Sequence, residues 1–441
     1  MSFDAPLPDR RYARLHPPKG DNPGDRRSPG RRDRDRVLYS SAFRRLGGIT
    51  QVVSATDRHP IHNRLTHTLE VAQIGRSLAE ELLRTEANSE RASQLGGLDP
   101  DVVEAAALAH DLGHPPFGHV AEAELHRLVK DVMHVDDGFE GNAQTFRIVT
   151  QLAVRYRDAP GLNLTRATLN AILKYPWPRG TSGPRARKWG AYGTEQPEFD
   201  WARQLLPAGS DMRSLEADLM DWADDVAYAV HDVEDFYRAG TIPLDRLATD
   251  RAERSRFIDA EMSSDRPKDF NADDLARAFG EIMAFSPISA PYRGSREDRA
   301  LLRSLTSSLI DRYIKAVTLS SGADGASTLS IDPEARMEVV MLKGLTWQYV
   351  IESRALLTQR YGHKKLIESL FVTLCNAASS AKDQRVFPEF YRELLGSQPQ
   401  QEQIVRVVAD LIASMTESQV IEMHHRLTGI ALGAALDPIV P

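Results

Sequence analysis

The stretch "AHDLGHPPFGHV", residues 109–120, joins two predicted helices and places three histidines close together in the chain. Before it, the apolar spacing of "PDVVEAAALAHDL" predicts an Ala-rich helix that starts near Asp101 and carries His110 and Asp111 at its end. A glycine and two prolines stop this helix, and a second helix is predicted after Gly118. The stretch therefore predicts a helix-turn-helix junction with a histidine-aspartate pair at the turn.

The His110-Asp111 pair is a candidate metal ligand pair. Adjacent helical residues point about 100° apart, so one metal held by both must lie beside the helix, with its other ligands on other helices. The alternative is that His110 caps its helix, because an imidazolium is favourable near a helix C-terminus. A second pair, His231-Asp232, shows that the dipeptide alone does not define a site.

Two other helices supply further candidate ligands. The segment "HNRLTHTLEV", residues 62–71, opens an amphipathic helix in which His67 faces inward with Val71 and Ile74. The segment "DLMDWADDVAYAVHDVEDFY", residues 218–237, predicts a helix with one apolar and one acidic side. The acidic side carries Asp221, Asp224, Asp225, Tyr228, Asp232 and Asp235.

This acidic side has two interpretations. It is either a solvated face, the usual fate of such a stripe, or part of a cation site. Almost no Lys or Arg lies four residues away to relieve the repulsion, which costs roughly 0.2–0.5 kcal/mol per like-charged pair. A bound cation would relieve it.

Composition limits the class of protein. The 441 residues carry 55 Lys plus Arg against 62 Asp plus Glu, a net charge of −7, so there is no overall basic field for nucleic acid or acidic lipid. The single cysteine, Cys375, lies in an apolar run and is expected to be a buried structural thiol in a reducing compartment. With no signal-peptide pattern and no membrane-span run, we expect a soluble, cytoplasmic protein without a membrane partner.

The chain divides into three regions. Residues 1–36 are rich in Arg and Pro and predict a flexible or docked arm. Residues 37–240 predict a helical core, and residues 241–441 predict further helices that pack on this core and contribute to oligomer contacts. Three segments rich in Gly, Pro and Ser predict long loops: residues 178–193, 286–298 and 320–330.

Several motifs in the same order resemble a known family. His67, His110-Asp111 and an aspartate of "ADDVAY" resemble the H…HD…D signature of the HD-domain metal-dependent phosphohydrolases. More closely, the bacterial deoxyguanosine triphosphate triphosphohydrolases and their dGTPase-like relatives are similar in the following segments: "DRDRVLYSSAFRRLGGITQV", "NRLTHTLEVAQIGRSLA", "LAHDLGHPPFGHVAEAEL", "GFEGNAQTFRIV", "LNLTRATLNAILKYPW", "LMDWADDVAYAVHDVED" and "VADLIASMTESQV". The resemblance is dense over residues 33–240 and sparse beyond. It implies an all-α fold, an HD-domain helical bundle with additional C-terminal helices.

The resemblance also implies one divalent metal ion per site, with His67, His110, Asp111 and Asp224 as ligands. Asp224 is chosen over Asp225 because Asp224, Tyr228 and Asp232 follow four-residue steps along one helix side. Such a mixed nitrogen and oxygen set suits Mn²⁺ or Mg²⁺ first, and Fe²⁺, Ni²⁺ or Zn²⁺ as well.

The family pattern assigns chemistry to two more groups of residues. His119 and Glu122 share a helical face, and a carboxylate beside an imidazole raises its basicity and fixes its tautomer, so this pair is the candidate for proton transfer. A surface ion pair is the alternative. The resemblance implies nucleotide contacts for Gln51, Arg64, His114, Lys174, Tyr228 and Asp232. Gln51 and Asp232 are assigned to the sugar, and the cationic residues to the triphosphate. Two alternatives stay open: Arg64 could pair with an acid, and Lys174 could lie at a helix end with its charge in solvent.

The implied reaction converts dNTP and water to deoxynucleoside and inorganic tripolyphosphate. Two departures leave the base preference and any allosteric nucleotide dependence open: "GGITQV" lacks the Lys usual before Thr-Gln, and position 114 is His where some relatives carry Asn. The resemblance further implies a homo-oligomer, with a hexamer as one assembly, and is compatible with binding of single-stranded DNA.

Other functions fit the sequence less well. No zinc-protease motif is present, since Ala123 stands where the inverted motif needs His, and no P-loop occurs. Two alternatives remain open: an HD phosphohydrolase acting on nucleoside monophosphates or another phosphoester, and a regulatory protein that binds nucleotide or nucleic acid through the Arg-rich arm and the "RARK" loop.

Overall fold

The computed structural model describes residues 7–16, 24–52, 61–207, 209–264, 266, 270–285, 288–319 and 329–430. These residues are mostly helical, which confirms the all-α prediction. In chain order the helices are α1 (Leu7–Arg11), α2 (Pro29–Leu38), α3 (Ser41–Arg45), α4 (Arg64–Leu82), α5 (Glu86–Gln94), α6 (Pro100–Ala109), α7 (His119–Arg127), α8 (Gly141–Arg147), α9 (Arg166–Ile172), α10 (Pro184–Arg187), α11 (Gln196–Arg203), α12 (Leu215–Arg238), α13 (Leu244–Thr249), α14 (Arg251–Ser263), α15 (Ala272–Phe285), α16 (Arg296–Lys315), α17 (Pro333–Thr346), α18 (Arg354–Ala378), α19 (Glu389–Leu395), α20 (Gln401–Ser414) and α21 (Glu417–Thr428).

Short segments of other structure connect the helices. Single 3₁₀ turns span Leu46–Gly48, Gly193–Glu195 and Asp383–Val386, and π-helical turns span Leu128–Val132, Ile148–Leu152 and Trp347–Ile351. One antiparallel hairpin pairs β1 (Val317–Leu319) with β2 (Leu329–Ile331). The sequence predicted only a loop here, because strands of three residues are too short for alternation to be visible. Most of that loop, residues 320–328, lies outside the described residues.

Three helices form the centre of the molecule. α12 packs against α4 and α6, and α4 packs along α6. The apolar residues of α6 are all buried, and most of them are alanines, which lets the neighbouring helices approach closely. Gly75 of α4 lies close to both neighbours, since a Cβ there would lie 3.1 Å from Val103 and 3.6 Å from Ala223. Each of the three helices carries part of the site described below.

The C-terminal helices form a second hydrophobic core around α7. Residues from Phe117 to Phe139 pack there with residues of α18, α20 and α21. Cys375 lies in this core, and burial raises the pKa of its thiol to about 12, as expected for a structural cysteine. Within the described chain, no helix is both long enough and apolar enough to cross a membrane.

The described part of the N-terminal region contacts the helical body. Arg11 binds Glu216 of α12 and the carbonyl of Gly96, and Arg14 pairs with the buried Asp33. Ser28 caps α2 and Pro29 occupies its first position, so this helix spans the predicted boundary at residue 36. Residues 1–6 and 17–23 lie outside the described residues.

Candidate active site

The four predicted metal ligands come from three helices of the central bundle. Asn63 caps α4 through a capping box, which fixes His67 in the first turn of that helix. α6 ends at Ala109, so His110 and Asp111 follow directly at its C-terminus. Asp224 lies midway along α12.

The side chains of these residues converge. Asp224 Oδ1 lies 3.1 Å from His67 Nε2 and 3.6 Å from His110 Nε2, and His110 Nε2 lies 3.4 Å from Asp111 Oδ1. Asp225 is directed elsewhere and pairs with Lys343 at 2.7 Å. This arrangement supports the choice of Asp224 as the ligand.

The hydrogen bonding of His110 fits a metal ligand. Its Nδ1 lies 2.6 Å from the carbonyl oxygen of Ala107, so Nδ1 carries the proton and donates it to that oxygen. Its Nε2 is buried and forms no hydrogen bond with any residue that the structure describes. A metal-binding imidazole needs this tautomer, with one nitrogen held by a backbone acceptor and the other left with a free lone pair.

Two cations hold the candidate ligands in the charged state. Burial alone would raise the pKa of Asp111, but the Arg64 guanidinium, 2.6 Å away, holds it well below its usual range. Burial is likewise opposed at Asp224, where Lys174 lies 3.0 Å from Oδ2 and keeps the pKa well below its usual range. Both carboxylates are therefore ready to bind a cation.

The acidic side of α12 is not a solvated face. Asp232 and Asp235 are buried, and Asp221 accepts hydrogen bonds from Lys174 at 2.6 Å and Arg213 at 2.5 Å. The positive charges that relieve the repulsion between these carboxylates belong to other segments of the chain. The spacing of residues along one helix cannot predict such partners.

His119 and Glu122 form a pair at the start of α7. His119 Nδ1 lies 2.6 Å from Glu122 Oε2, and the His119 side chain is 72% exposed whereas that of Glu122 is 8% exposed. Burial would raise the pKa of Glu122, but its hydrogen bond with His119 and the charge of Lys188 hold it well below its usual range. The charged carboxylate thus orients the imidazole through Nδ1 and leaves Nε2 without a partner in this pair.

Lys188 is a site residue that the sequence did not predict. Its Nζ lies 2.7 Å from Glu122 Oε1 and 3.0 Å from Glu140 Oε1. It belongs to the "RARK" segment, which was a candidate for nucleic-acid contact within a predicted loop. Trp189 and Tyr192 of that loop are fully buried, whereas Arg185 and Arg187 are exposed, so a nucleic-acid contact there stays a prediction. The aromatic residues that follow Lys188, Trp189 and Tyr192, could have indicated that this segment is partly buried.

His114 lies between the metal ligands and the His119 pair. Its Nδ1 is 2.9 Å from Asp111 Oδ1, and its ring centroid is 5.1 Å from that of His119. Burial and the nearby Arg64 lower the pKa of His114 to about 4, so the imidazole is neutral. The ligand atoms of His114, His119 and Glu122 also lie close enough together to share an ion.

The remaining predicted contacts border the same region. Thr50 pairs with Asn63, which places Gln51 beside the start of α4. Tyr228 and Asp232 follow Asp224 along α12, and Lys343 Nζ lies 5.7 Å from the Tyr228 ring centroid. Asp232 is buried, and burial together with nearby Asp235 raises its pKa well above the usual range.

A second, partly buried ionic network flanks Asp232 and was not predicted. His62 Nδ1 lies 2.6 Å from Asp235 Oδ2, and its Nε2 lies 2.9 Å from Glu70 Oε1. Glu70 Oε2 lies 2.7 Å from His231 Nδ1, and the two histidine rings stack at 5.5 Å. The second His-Asp dipeptide thus belongs to a network that joins α4 to α12, with no role in the first ligand set.

Comparison with known proteins agrees with this geometry. Residues 64–229 match the HD domain family, and residues 329–426 match the phosphohydrolase-associated domain family. A deoxyguanosinetriphosphate triphosphohydrolase-like protein of Streptomyces coelicolor is 39% identical over 95% of this chain and 96% of its own length. Proteins of the same name from Bifidobacterium longum and Corynebacterium glutamicum strain R are 35% and 36% identical, over 92% and 90% of this chain and 84% and 90% of their own lengths.

The HD match spans all four candidate ligands, from the helix that carries His67 to the one that carries Asp224. The donor set and the relatives together make the protein a metal-dependent phosphohydrolase. By this similarity over nearly its whole length, the chain belongs to the deoxyguanosinetriphosphate triphosphohydrolase-like family of HD-domain phosphohydrolases.

Proposed function

We propose that the protein hydrolyses deoxynucleoside triphosphates at the α-phosphorus and releases deoxynucleoside and inorganic tripolyphosphate. The main observation in support of the proposal is that one site contains two distinct groups of residues. The candidate metal ligands converge around His110, and the His119–Glu122 pair lies on the next helix. The names of the relatives support a nucleoside triphosphate as the substrate.

His67, His110, Asp111 and Asp224 would hold one divalent ion, Mn²⁺ or Mg²⁺ first and Fe²⁺, Ni²⁺ or Zn²⁺ as alternatives. When bound, such an ion neutralises charge at phosphorus and lowers the pKa of a coordinated water. Arg64 and Lys174 add positive charge beside the ligands and would also face the phosphates. His114, between the metal ligands and His119, would lie beside the phosphates.

His119 would move the proton. In the reaction a bond forms between water oxygen and the α-phosphorus as the water loses a proton, the bond from phosphorus to the 5′-oxygen breaks, and the 5′-oxygen gains a proton. His119 can supply that proton from Nε2, since Nδ1 is held by Glu122 and the ring is exposed toward solvent. Lys188 keeps the Glu122 carboxylate charged and in place.

The sugar would contact Gln51, Tyr228 and Asp232. A buried carboxyl whose pKa is raised can donate a hydrogen bond to a hydroxyl as well as accept one. His114 and the Gln51 segment carry the two departures from the family pattern, so the preferred base is left open and is decided by the test below.

The test is incubation of the purified protein with each of the four dNTPs and each dNMP, with Mn²⁺ or Mg²⁺, followed by separation of the phosphate products. Tripolyphosphate is expected from at least one dNTP. Pyrophosphate or orthophosphate as the sole product would refute the proposal. Turnover of monophosphates alone would favour a different phosphoester substrate, and no turnover would favour a binding protein.

We also propose that the protein forms a homo-oligomer, with a hexamer as the expected assembly. We propose a cytoplasmic location without a membrane partner, and single-stranded DNA as a further candidate ligand. The buried, unpaired Cys375 supports a reducing compartment. Light scattering on a sizing column tests the assembly, and a result of monomer at every concentration would contradict it.

A further inference from the structure

The motif "VADLIASMTESQV", residues 408–420, has no part in the chemistry above, although it lies within the phosphohydrolase-associated domain. It comprises the end of α20, the turn at Met415 and the first turn of α21. This motif lies against two segments that carry site residues and against Arg45 of α3. Its contacts show what the C-terminal region does for the site.

Glu417 joins two of these segments with one carboxylate. Oε1 accepts hydrogen bonds from the backbone N–H of Thr50 at 2.9 Å and of Phe117 at 3.2 Å. Oε2 accepts from the Thr50 hydroxyl at 2.8 Å. Thr50 precedes Gln51, the proposed sugar contact, and Phe117 lies two residues before His119. A single side chain therefore sets the distance between these two parts of the site.

Phe117 needs such support. Its φ of 68° lies in the left-handed region, which is uncommon for a bulky residue and persists only where the surroundings fix it. Glu417 holds the N–H of Phe117, and the Phe117 ring stacks on His363 of α18, with centroids 4.0 Å apart. Both contacts come from the C-terminal region.

The rest of the motif holds the adjoining segments. A Cβ at Gly48 would lie 2.6 Å from Thr416, so the chain before Thr50 lies directly on the start of α21. Arg45 donates to the carbonyl of Met415 at 3.2 Å and to those of Leu112 and His114 at 2.7 and 2.9 Å. The motif thus contacts one side of the turn that joins the metal ligands to His119 directly at Phe117, and the other side through Arg45.

We propose that Glu417 is a positioning residue for the hydrolysis: its carboxylate holds the Gln51 and His119 segments at the separation that a bound nucleotide requires. Its kinetic effect rests on the proposed function. It does not contact the metal ligands, which are held by α4, α6 and α12. Loss of Glu417 should therefore reduce turnover without loss of metal, because a misplacement of about 1 Å can reduce a rate by roughly 100-fold.

The experiment compares E417A, E417Q and E422A in the full-length protein. Glu422 lies on the same helix, is 60% exposed and pairs with Arg426, so it controls for the loss of one charge. We expect E417A to lower kcat/KM for the preferred dNTP by at least about tenfold, with an unchanged Kd for Mn²⁺. Its Thr50 and Phe117 amides should exchange hydrogen faster, with other regions unaffected.

E417Q should recover most of the activity, because its amide oxygen can accept both N–H groups and its NH₂ can donate to the Thr50 hydroxyl. Activity of E417A equal to that of E422A, with normal exchange at both amides, would overturn the proposal. Faster exchange throughout the protein, without recovery in E417Q, would also overturn it in favour of a general stability role.

If E417A does not fold, Thr50→Val removes one of the three hydrogen bonds and should give a smaller loss in the same direction, whereas full activity would contradict the proposal. If the wild-type protein hydrolyses no dNTP, the proposed function fails. In that case hydrogen exchange at Thr50 and Phe117 still decides whether Glu417 holds the two segments.

Discussion

His110 shows how far single residues could be predicted. The motif order predicts it as a metal ligand together with His67, Asp111 and Asp224, and the structure places their side-chain atoms within a few ångströms of one another. The hydrogen bond from Nδ1 to the Ala107 carbonyl could not be predicted, because it depends on the ring orientation at the helix end. Contacts between segments that are far apart in the sequence could not be predicted from it either.

The first prediction concerns Asp111. Asp111→Ala removes a ligand and leaves Arg64 without its buried partner, so the protein should lose metal binding and turnover together. Titration calorimetry with Mn²⁺ measures the first and tripolyphosphate release the second, with circular dichroism to establish folding. Asp225→Ala is the matched control, since Asp225 pairs with Lys343 and should not bind the ion. Normal metal binding by the Asp111 variant would refute its role.

The second prediction concerns His119. His119→Ala should retain metal binding and lose roughly 100- to 10,000-fold in kcat, the usual contribution of a proton-transfer group. The imidazole is exposed and outside the hydrophobic cores, so the variant should fold normally. Steady-state kinetics at saturating dNTP tests this. A kcat within twofold of the wild-type value would remove His119 from the mechanism.

The third prediction concerns stability and pH. Burial would lower the pKa of His62, but its hydrogen bonds to Asp235 and Glu70 raise the pKa to about 10. A raised pKa stabilises the folded state fully below the ordinary value of about 6.5, and this stabilisation is lost as the pH rises toward 10. Each pKa unit corresponds to about 1.4 kcal/mol, so several kcal/mol at most are involved.

The difference in Tm between the wild-type protein and His62→Gln should therefore be largest near pH 6 and should narrow as the pH approaches 10. Differential scanning fluorimetry over this range measures it. A difference that stays constant or widens with pH would show that His62 is not charged in the folded protein.

At the scale of elements, the helices were predictable and their junctions were not. The start of α7 at His119 matches the predicted start after Gly118, since proline and glycine set that boundary. The segment at residues 178–193 was predicted as a loop from its Gly and Pro content, yet it contains α10 and buries two aromatic residues. Gly and Pro content indicates where the backbone can turn, whereas packing against another element decides whether the segment is an exposed loop or a buried one.

The fourth prediction concerns the junction of α6 with α8. A Cβ at Gly113 would lie 2.1 Å from the Gly141 carbonyl oxygen and 2.3 Å from the Thr145 nitrogen, both backbone atoms. Gly113→Ala should push α8 away from His110 and Asp111, lower stability by about 1–3 kcal/mol or more and weaken metal binding. Thermal unfolding and Mn²⁺ titration measure these effects.

Gly280→Ala is the control for this substitution. Gly280 lies in α15, and a Cβ added there would meet no atom of another described segment within 4 Å. Alanine at this position should therefore raise stability by up to about 1 kcal/mol through helix propensity. If both variants behave alike, close packing at Gly113 does not support the site.

At the scale of the whole molecule, the C-terminal third could be predicted as helical but not as part of the site. Amphipathic spacing identified its helices, whereas the contact of α21 with the Gln51 and Phe117 segments joins residues about 300 positions or more apart. Such contacts leave no periodic signal. The turn between the metal ligands and His119 contributes Leu112 to one hydrophobic core and Phe117 to the other.

The most direct test of the account is hydrolysis of the preferred dNTP in H₂¹⁸O with Mn²⁺, with mass spectrometry of the separated products. Attack of water on the α-phosphorus should place one ¹⁸O atom in tripolyphosphate and none in the deoxynucleoside. Label in the deoxynucleoside would place the attack at the 5′-carbon. Labelled pyrophosphate or orthophosphate without tripolyphosphate would contradict the proposed reaction.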